Sequence, residues 1–428
     1  MNGLSERLRS LGVRLGARDL PPPQPRPRYD YPIEQVVSGR FENTPYGQVF
    51  VTEMQLPANY RYGHFALLPE AGLGLRSVAA WAQDERLAEC APEHLVFLDT
   101  ETTGLAGGTG TYTFLIGVGA YQGDQFRLVQ FFMRDPIEEP AQLAVVHEFI
   151  QERRALVTFN GKAFDVPLLH TRFVTNGLPS PVQDLPNLDL LLLARRLWRE
   201  RLPSRALSSL EQHILGVARS EQDVPGWMIP ALYFEYLRTG DARPLQRVFY
   251  HNAMDVLALA ALFGHQAQLL ERPAAVQLEH GLDCMALADL LCELGRAQEA
   301  IRLYTSALDR GLPGHMRWSV VQRLARLQRR TGNLSAALEL WHAAAGECQP
   351  EACVELAKYY EHQARDYARA AHWTQRALHL VAALPMPNRE RQRWIAELQH
   401  RQARLWRKQG ILDKKPADAT MATDLEPT

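Results

Sequence analysis

Two carboxylates separated by one residue follow a short apolar stretch of the chain. Residues 95–98 (Leu-Val-Phe-Leu) are typical of a strand buried on both faces, and Asp99 and Glu101 come directly after them. Because side chains alternate along a strand, both carboxylates should lie on the same side at its end. Two acids held together resist ionisation, and a bound Mg²⁺ or Mn²⁺ would relieve their repulsion. The pair predicts a metal site; the alternative is a polar strand end that enters a turn at 102–104.

Two later acids stand in positions that suit the same chemistry. Residues 155–159 form a second apolar strand pattern, and Asp165 opens the helix predicted over 165–174, where the helix dipole favours a negative charge. Asp255 lies inside a strongly apolar helical stretch. An acid in such a stretch is rare unless it is paired or holds a metal. The sequence therefore supplies four acids in three separate elements.

In order and character, these three segments resemble the three exonuclease motifs of the DEDD superfamily, which has a ribonuclease H-like fold. By this resemblance Asp99 and Glu101 match the first motif. Asp165 matches the second motif and Asp255 the third, and the resemblance covers about residues 94–265. It implies an α/β fold with a mixed sheet flanked by helices. It also implies a 3′–5′ exonuclease that hydrolyses phosphodiester bonds of single-stranded DNA or RNA.

The resemblance implies a two-metal mechanism for the four acids. They would hold two divalent cations, Mg²⁺ or Mn²⁺, about 4 Å apart, and no other cofactor is expected. Asp99 would bridge both ions, while Glu101 and Asp255 would complete one of the two sites. Asp165 would hold the other ion mainly through water.

The third motif departs from both standard patterns of the superfamily. One subgroup has a Tyr four residues before the last Asp, and the other has a His five residues before it. Here His251 lies four residues before Asp255, and Tyr250 lies five before it. In a continuous helix, positions i and i+4 are about 40° apart around the axis, whereas i and i+5 are about 140° apart. We therefore expect His251 to be the general base, with Tyr250 as the alternative if the helix begins only at about Asn252.

Three further residues are candidates for supporting roles. At the place of Asp189, the superfamily often has an Asp that orients the metal ligands without binding the metal. The alternative is that Asp189 is the N-terminal cap of the apolar helix that follows it. Asn160, directly after the second strand, is a candidate for binding the substrate. Trp227 could stack on a base, but we expect it to pack in the core.

The composition limits the kinds of partner. The 428 residues carry a formal net charge of −1, so nucleic acid would have to be bound locally and not by a broad basic field. The five cysteines form no C-x-x-C pair, which suggests reduced thiols and a cytoplasmic location. No uninterrupted apolar run reaches the ~18 residues of a membrane span, so we expect no membrane partner.

Changes in composition predict five segments. A Pro-rich stretch at 20–27 is typical of a semi-rigid linker, and the pattern changes to helices alone after Pro273. The predicted segments are a flexible N-terminal segment (1–32), a small β-rich segment packed on the nuclease (33–89), the ribonuclease H-like domain (90–270), a helical repeat domain (275–412) and a disordered tail (413–428).

Small residues recur in the predicted helical domain. Ala300, Ala337 and Ala370 are spaced by 37 and 33 residues, close to the ~34-residue period of tetratricopeptide repeats. The spacing predicts an all-α tetratricopeptide-like solenoid, and its pairing with the nuclease resembles bacterial ribonuclease H-like proteins that carry such repeats. An array of this kind most often binds a protein or peptide; the alternative is a structural support for the nuclease.

The whole sequence thus predicts a metal-dependent nuclease of the DEDD type. The alternative is a non-catalytic scaffold that binds nucleic acid or protein on the same fold. The presence of all four acids favours the enzyme, whereas the exchange of Tyr250 and His251 leaves the scaffold as an open alternative.

Overall fold

The computed structural model describes residues 31–57, 59–104 and 110–410. The predicted tail (413–428) and all but the last two residues of the predicted N-terminal segment (1–32) lie outside the described residues. Within the described part, the chain forms two compact units. The first comprises the residues up to Leu75, Arg86–Leu191 and Ala206–His265; the second comprises Arg76–Glu85, Leu192–Arg205 and the residues from Gln266 onward. The segment boundaries proposed from the sequence stay predictions.

Strands and helices are named here in chain order. The strands of the described residues are β1 (Arg40–Thr44), β2 (Gly47–Pro57), β3 (Arg61–Tyr62), β4 (Phe65–Ala66), β5 (Leu95–Thr102), β6 (Thr113–Gln122), β7 (Gln125–Phe132), β8 (Ala155–Thr158) and β9 (Asn187–Asp189). The α-helices are α1 (Ile33–Val36), α2 (Arg76–Ala82), α3 (Glu139–Ile150), α4 (Asp165–Thr175), α5 (Leu190–Trp198), α6 (Leu207–Leu210), α7 (Ile229–Thr239), α8 (Leu245–Glu271), α9 (Gly281–Glu293), α10 (Ala297–Arg310), α11 (Gly314–Arg330), α12 (Leu334–Gly346), α13 (Pro350–His362), α14 (Tyr367–Ala383) and α15 (Asn388–Lys408).

A mixed sheet is the centre of the first unit. Within the described residues, seven strands form this sheet in the order β1-β2-β7-β6-β5-β8-β9, and β3 pairs with β4 in a separate hairpin. The strands from β1 to β5 in this order are antiparallel to their neighbours, whereas β5, β8 and β9 are parallel. Strands β1 and β2, from the predicted β-rich segment, extend the same sheet. The predicted α/β, ribonuclease H-like fold class is confirmed.

Strand β5 is fixed by hydrophobic packing on both of its faces. Its residues 95–98 are all buried, because helices cover both sides of the sheet. On one face, Val96 and Leu98 pack in a cluster with residues of α3 and α4. On the other face, Phe97 packs edge-on against Phe263 of α8, with 5.7 Å between the ring centres. The polar half of β5, from Asp99 onward, is partly exposed and begins where this packing ends.

Helix α8 is the longest apolar element among the described residues. By length and composition alone it could span a membrane, but 78% of its most apolar 18-residue window is buried inside the protein. Burial of this kind is what the core helix of a globular unit shows. Its apolar character is therefore explained by its burial inside the protein.

Helices make up the C-terminal part of the second unit. Each helix from α9 to α15 packs against the next one in the chain, and this all-α run confirms the fold predicted after Pro273. Ala300, Ala337 and Ala370 are fully buried, as expected where helices approach closely. The tetratricopeptide-like character of the run stays a prediction.

A buried acid joins the last helix to the helical run. The side chain of Glu361 in α13 is fully buried and accepts hydrogen bonds from three cations of α15. Arg401 Nη1 and Lys408 Nζ donate at 2.8 Å and 2.9 Å, and Arg404 donates to both carboxylate oxygens. These charge-assisted bonds hold α15 in place.

Candidate active site

The four acids predicted from the sequence come together at one end of β5. Asp99 and Glu101 lie on β5, Asp165 is the first residue of α4, and Asp255 lies on α8. Burial raises the pKa of Asp99 well above its usual value, and the charges of the other three acids raise it further. The pKa of Glu101 is raised in the same way, by burial and then by Asp255 and Asp165. Because these acids repel each other, the site favours a cation or protons.

Asp165 receives a hydrogen bond from the strand that holds the first two acids. Thr100 Oγ1 donates to Asp165 Oδ1. Burial raises the pKa of Asp165 to about 6, although this hydrogen bond acts in the opposite direction. Since β5 and β8 are parallel neighbours, the loop from β8 to α4 begins at the same edge of the sheet as Asp99. The sheet topology therefore explains why Asp165 reaches the cluster.

Asp189, at the end of β9, holds the loop that leads to Asp165. Its Oδ1 accepts from the backbone amides of Asn160 at 2.8 Å and Leu191 at 3.1 Å, and its Oδ2 accepts from Lys162 at 3.4 Å. It therefore bonds to the start of α5 and to the loop before Asp165 with the same carboxylate. Asn160 has a left-handed backbone, with φ of 65°, which Asn tolerates better than most residues. The proposed role of Asn160 in substrate binding stays a prediction.

His251, and not Tyr250, lies beside the third-motif acid. Helix α8 begins five residues before Tyr250, so the segment is a continuous helix. His251 Nε2 is 3.6 Å from Asp255 Oδ2, and its Nδ1 is 2.7 Å from Asp223 Oδ1. The Tyr250 hydroxyl instead accepts a hydrogen bond from Ser220 Oγ at 3.2 Å. This is the arrangement expected for a continuous helix, while the role of His251 as general base stays a prediction.

Asp223 was missed by the sequence analysis, because an Asp shortly before Pro225 and Gly226 is typical of a turn and gives no sign of a role in the site. Burial alone would raise its pKa, but the hydrogen bond from His251 and the charges of His251 and Arg219 hold the pKa below its ordinary value. A carboxylate in this state can fix the orientation of an imidazole ring. Asp223 therefore belongs to the site.

Asn252 was also missed, although it contacts the first acid directly. Its fully buried amide Nδ2 donates to Asp99 Oδ2 at 2.8 Å and to the Asp99 carbonyl at 3.3 Å. Gln130 Nε2 donates to Asn252 Oδ1 at 2.9 Å and to the Phe249 carbonyl at 2.8 Å. Thr52 Oγ1 donates in turn to Gln130 Oε1 at 3.0 Å. A buried chain of hydrogen bonds thus runs from β2 to the Asp99 carboxylate and fixes its direction.

Gly117 provides the space for this chain. In the sheet, Gly117 of β6 is the direct partner of Asp99 on one side and of Gln130 on the other. A Cβ atom added to Gly117 would lie 2.2 Å from Asn252 Oδ1, which is far too close. A glycine inside a strand often marks such a close approach, so its presence was a usable signal in the sequence.

Arg219 is the fourth residue that the sequence analysis missed. Its Nη2 contacts Asp255 Oδ1 and lies 2.7 Å from Glu211 Oε2. Its Nη1 lies 3.4 Å from Asp223 Oδ2 and 3.2 Å from His251 Nδ1. Arg219 lies in an irregular segment without periodicity, so no local pattern indicated it. A positive charge is therefore built into the acidic cluster.

The donor set fits a hard divalent cation in its chemistry. Carboxylate oxygens are the ligands that Mg²⁺ and Mn²⁺ prefer, and the raised pKa values reflect repulsion that a cation would remove. In the part of the chain that the structure describes, however, no three His, Cys, Asp or Glu side chains are grouped so that they could hold a metal ion as they stand.

Two exposed aromatic side chains lie next to residues of the site. Trp227 is 79% exposed, so the prediction that it packs in the core is wrong. It follows Gly226, where an added Cβ would lie 3.9 Å from His251 Nε2. Phe164, which directly precedes Asp165, is 54% exposed. Both rings are available to a ligand.

Comparison with known proteins agrees with the fold. Residues 96–266 match the family model described as the RNase_H superfamily, and this stretch contains all four acids. The chain is 29% identical over 343 residues to a protein of Bacillus subtilis (strain 168) described as "Uncharacterized protein YprB". That similarity covers 78% of this chain and 81% of the relative. Residues 96–266 thus have a nuclease-type, ribonuclease H-like fold.

Proposed function

We propose that this protein is a metal-dependent nuclease that hydrolyses phosphodiester bonds of DNA or RNA, as a 3′–5′ exonuclease of the DEDD type. The observation that carries the proposal is the convergence of four carboxylates from β5, α4 and α8. Acids with raised pKa values that meet from separate elements are typical of functional sites, because their repulsion has no benefit for the fold alone.

The residues that would hold divalent cations (Mg²⁺ or Mn²⁺, two by the family pattern) are Asp99, Glu101, Asp165 and Asp255. Such ions, when bound, supply charge stabilisation for an in-line displacement at phosphorus. His251 would accept the proton of the attacking water. In the neutral imidazole, a proton on Nδ1 that is donated to Asp223 at 2.7 Å leaves Nε2 as the acceptor, on the side of the Asp255 carboxylate. Asp223 would orient the ring, and Asn252 would keep Asp99 directed into the cluster.

Single-stranded nucleic acid is the substrate class that the surroundings of the site favour. The exposed rings of Trp227 and Phe164 are next to residues of the site, and unpaired bases stack on such rings. The chain as a whole has almost no net charge, so long-range attraction would contribute little to binding. Stacking close to the reacting phosphate suits a strand whose bases are unpaired.

The helical run of the second unit would bind a protein or peptide partner. The lining of a cavity of about 640 Å³ in this unit includes five basic residues, namely Arg195, Arg196, Arg199, His315 and Arg323. Three acids also line this cavity, so its excess of positive charge is small. An excess of this size suits a short acidic segment of a partner protein or peptide. All five cysteines are free, which fits the cytoplasmic location proposed for the protein.

A digestion assay with a matched variant tests the proposed function. End-labelled single-stranded DNA and RNA are incubated with the full-length protein and Mn²⁺, and the product lengths are followed with time. We expect shortening from the 3′ end by the wild type and none by Asp99→Asn, which keeps the shape of the side chain and removes its charge. Turnover by Asp99→Asn within tenfold of the wild type would show that Asp99 is not a ligand.

The scaffold alternative makes a different prediction for the same two proteins. A metal site whose acids repel each other should be stabilised against heat by Mn²⁺ in the wild type, and this gain should be absent in Asp99→Asn. A scaffold without a metal site would show no gain in either protein. Thermal melting in EDTA and in Mn²⁺ therefore separates the enzyme from the scaffold before any substrate is known.

A further inference from the structure

Arg219 is held in the acidic cluster by a buried anchor. Its Nε donates to both carboxylate oxygens of Glu211, at 3.0 Å and 2.8 Å. Glu211 is buried, and its Oε1 also accepts a hydrogen bond from the Tyr62 hydroxyl at 2.5 Å. Glu211 therefore fixes the position of the planar guanidinium through Nε. Glu211 is not one of the four predicted metal ligands.

The two Nη atoms of this guanidinium lie on the side of the predicted metal ligands, next to Asp255, Asp223 and His251. Its Nη2 contacts Asp255 Oδ1, so one of the two oxygens of that carboxylate already has a cationic partner. The charge of Arg219 also reaches Glu101, where it acts to lower a pKa that burial and the neighbouring acids raise. Arg219 thus compensates negative charge on the side of the cluster where Asp255 and Glu101 would complete one of two metal sites.

A second divalent ion beside Asp255 would meet the positive charge of Arg219. The ion and Arg219 would compete for Asp255 Oδ1. Two positive charges next to one oxygen repel each other strongly where water cannot screen them. Moving Arg219 away would leave Glu211 buried without its cationic partner, which is costly. A fixed guanidinium in this place is therefore hard to displace.

We propose that Arg219 takes the place of the second cation, so that the site holds one divalent ion and one built-in guanidinium. The inference rests on the proposed metal-dependent function and changes its metal count from two to one. Arg219 would then place a positive charge beside the phosphate group next to the ion.

Counting bound ions tests this inference without any measurement of activity. Mn²⁺ alone is titrated into the full-length protein, and the number of ions per chain is read by calorimetry. We expect one ion in the wild type and one in Arg219→Lys, which keeps the charge. In Arg219→Gln the charge is lost, and we expect two ions.

The outcomes separate the failure of this inference from failure of the function. Two ions in the wild type, or one ion in Arg219→Gln, would overturn the role of Arg219 and leave the nuclease proposal intact. Absence of Mn²⁺ binding in the wild type and in every variant would overturn both. If Arg219→Gln does not fold, the double variant Arg219→Gln with Glu211→Gln removes the buried unpaired charge, and the same count of two ions is expected from it.

Discussion

Substitution of Gly117 by Ala is expected to disrupt the site from inside the sheet. The added Cβ would lie 2.2 Å from Asn252 Oδ1 and 2.9 Å from its Nδ2, so the buried amide has to move. The two shortest hydrogen bonds of the Asn252 side chain then break, the one that it donates to Asp99 Oδ2 and the one that it accepts from Gln130. The Asp99 carboxylate loses the donor that fixes its direction.

The cost can be worked out from these contacts. A hydrogen bond to a charged group contributes about 1.5–3 kcal/mol and a neutral one about 0.5–1.5 kcal/mol. Overpacking of a buried site adds about 1–3 kcal/mol, and the smaller entropy of Ala in the unfolded chain returns about 0.5–1 kcal/mol. We therefore expect Gly117→Ala to lower the free energy of unfolding of the first unit by roughly 2–7 kcal/mol.

Urea unfolding followed by circular dichroism measures this change, and a second glycine provides the control. Gly264 lies inside α8, and a Cβ added there has no atom within 4 Å, so Gly264→Ala should stabilise the protein by about 0.5–1 kcal/mol. The digestion assay should show that Gly117→Ala also loses cleavage where it remains folded. A Gly117→Ala protein as stable and as active as the wild type would refute the packing argument.

Two further predictions concern the candidate base and the second unit. His251→Ala should lower the cleavage rate by about 10²–10⁴, the usual range for a general base, whereas Tyr250→Phe should change it by less than about tenfold. Single-turnover kinetics measures both rates. A larger loss in Tyr250→Phe than in His251→Ala would assign the role of base to Tyr250. Glu361→Gln should destabilise the second unit by about 1–3 kcal/mol in thermal melting at neutral pH. Burial would raise the pKa of Glu361, but hydrogen bonds from Arg404 and Lys408 bring it to about 2 from its ordinary 4.5. Because the pKa of Glu361 is lowered in the folded state, its contribution to stability is present above pH 4.5 and is lost as the pH falls towards 2. An equal loss of stability in acid by the wild type and Glu361→Gln would contradict this prediction.

The fold class and the position of His251 could be predicted because both depend on local patterns. An apolar stretch followed by two acids defines β5, and the strand carries its acids to the polar end of the sheet. Helix periodicity alone places His251 on the face of Asp255 once the helix is continuous. The exposure of Trp227 was predicted wrongly, because an aromatic residue after a turn carries no sign of which side it faces.

Residues that act through distant partners could not be predicted in this way. Asn252 bonds to Asp99, which lies 153 residues earlier in the chain. The Asn252 amide fits there only because Gly117 has no side chain. Arg219 meets Asp255 from 36 residues away, out of a segment with no regular structure. The packing of the sheet against α8 brings Asn252 to Asp99, and the buried Glu211 holds Arg219 beside Asp255. Their chemistry is visible in the sequence, but their proximity is not.

The position of β5 between β6 and β8 has a consequence for the time scales on which parts of the site move. Backbone amides of a strand that is paired on both sides and covered on both faces exchange with solvent deuterium only when the whole unit opens. The segment that carries Arg219 and Asp223 has no such pairing, and its amides can exchange through local opening. Deuterium exchange should therefore be slowest in the buried half of β5 and faster in the backbone around Arg219 and Asp223, while the Arg219 side chain stays bound to Glu211.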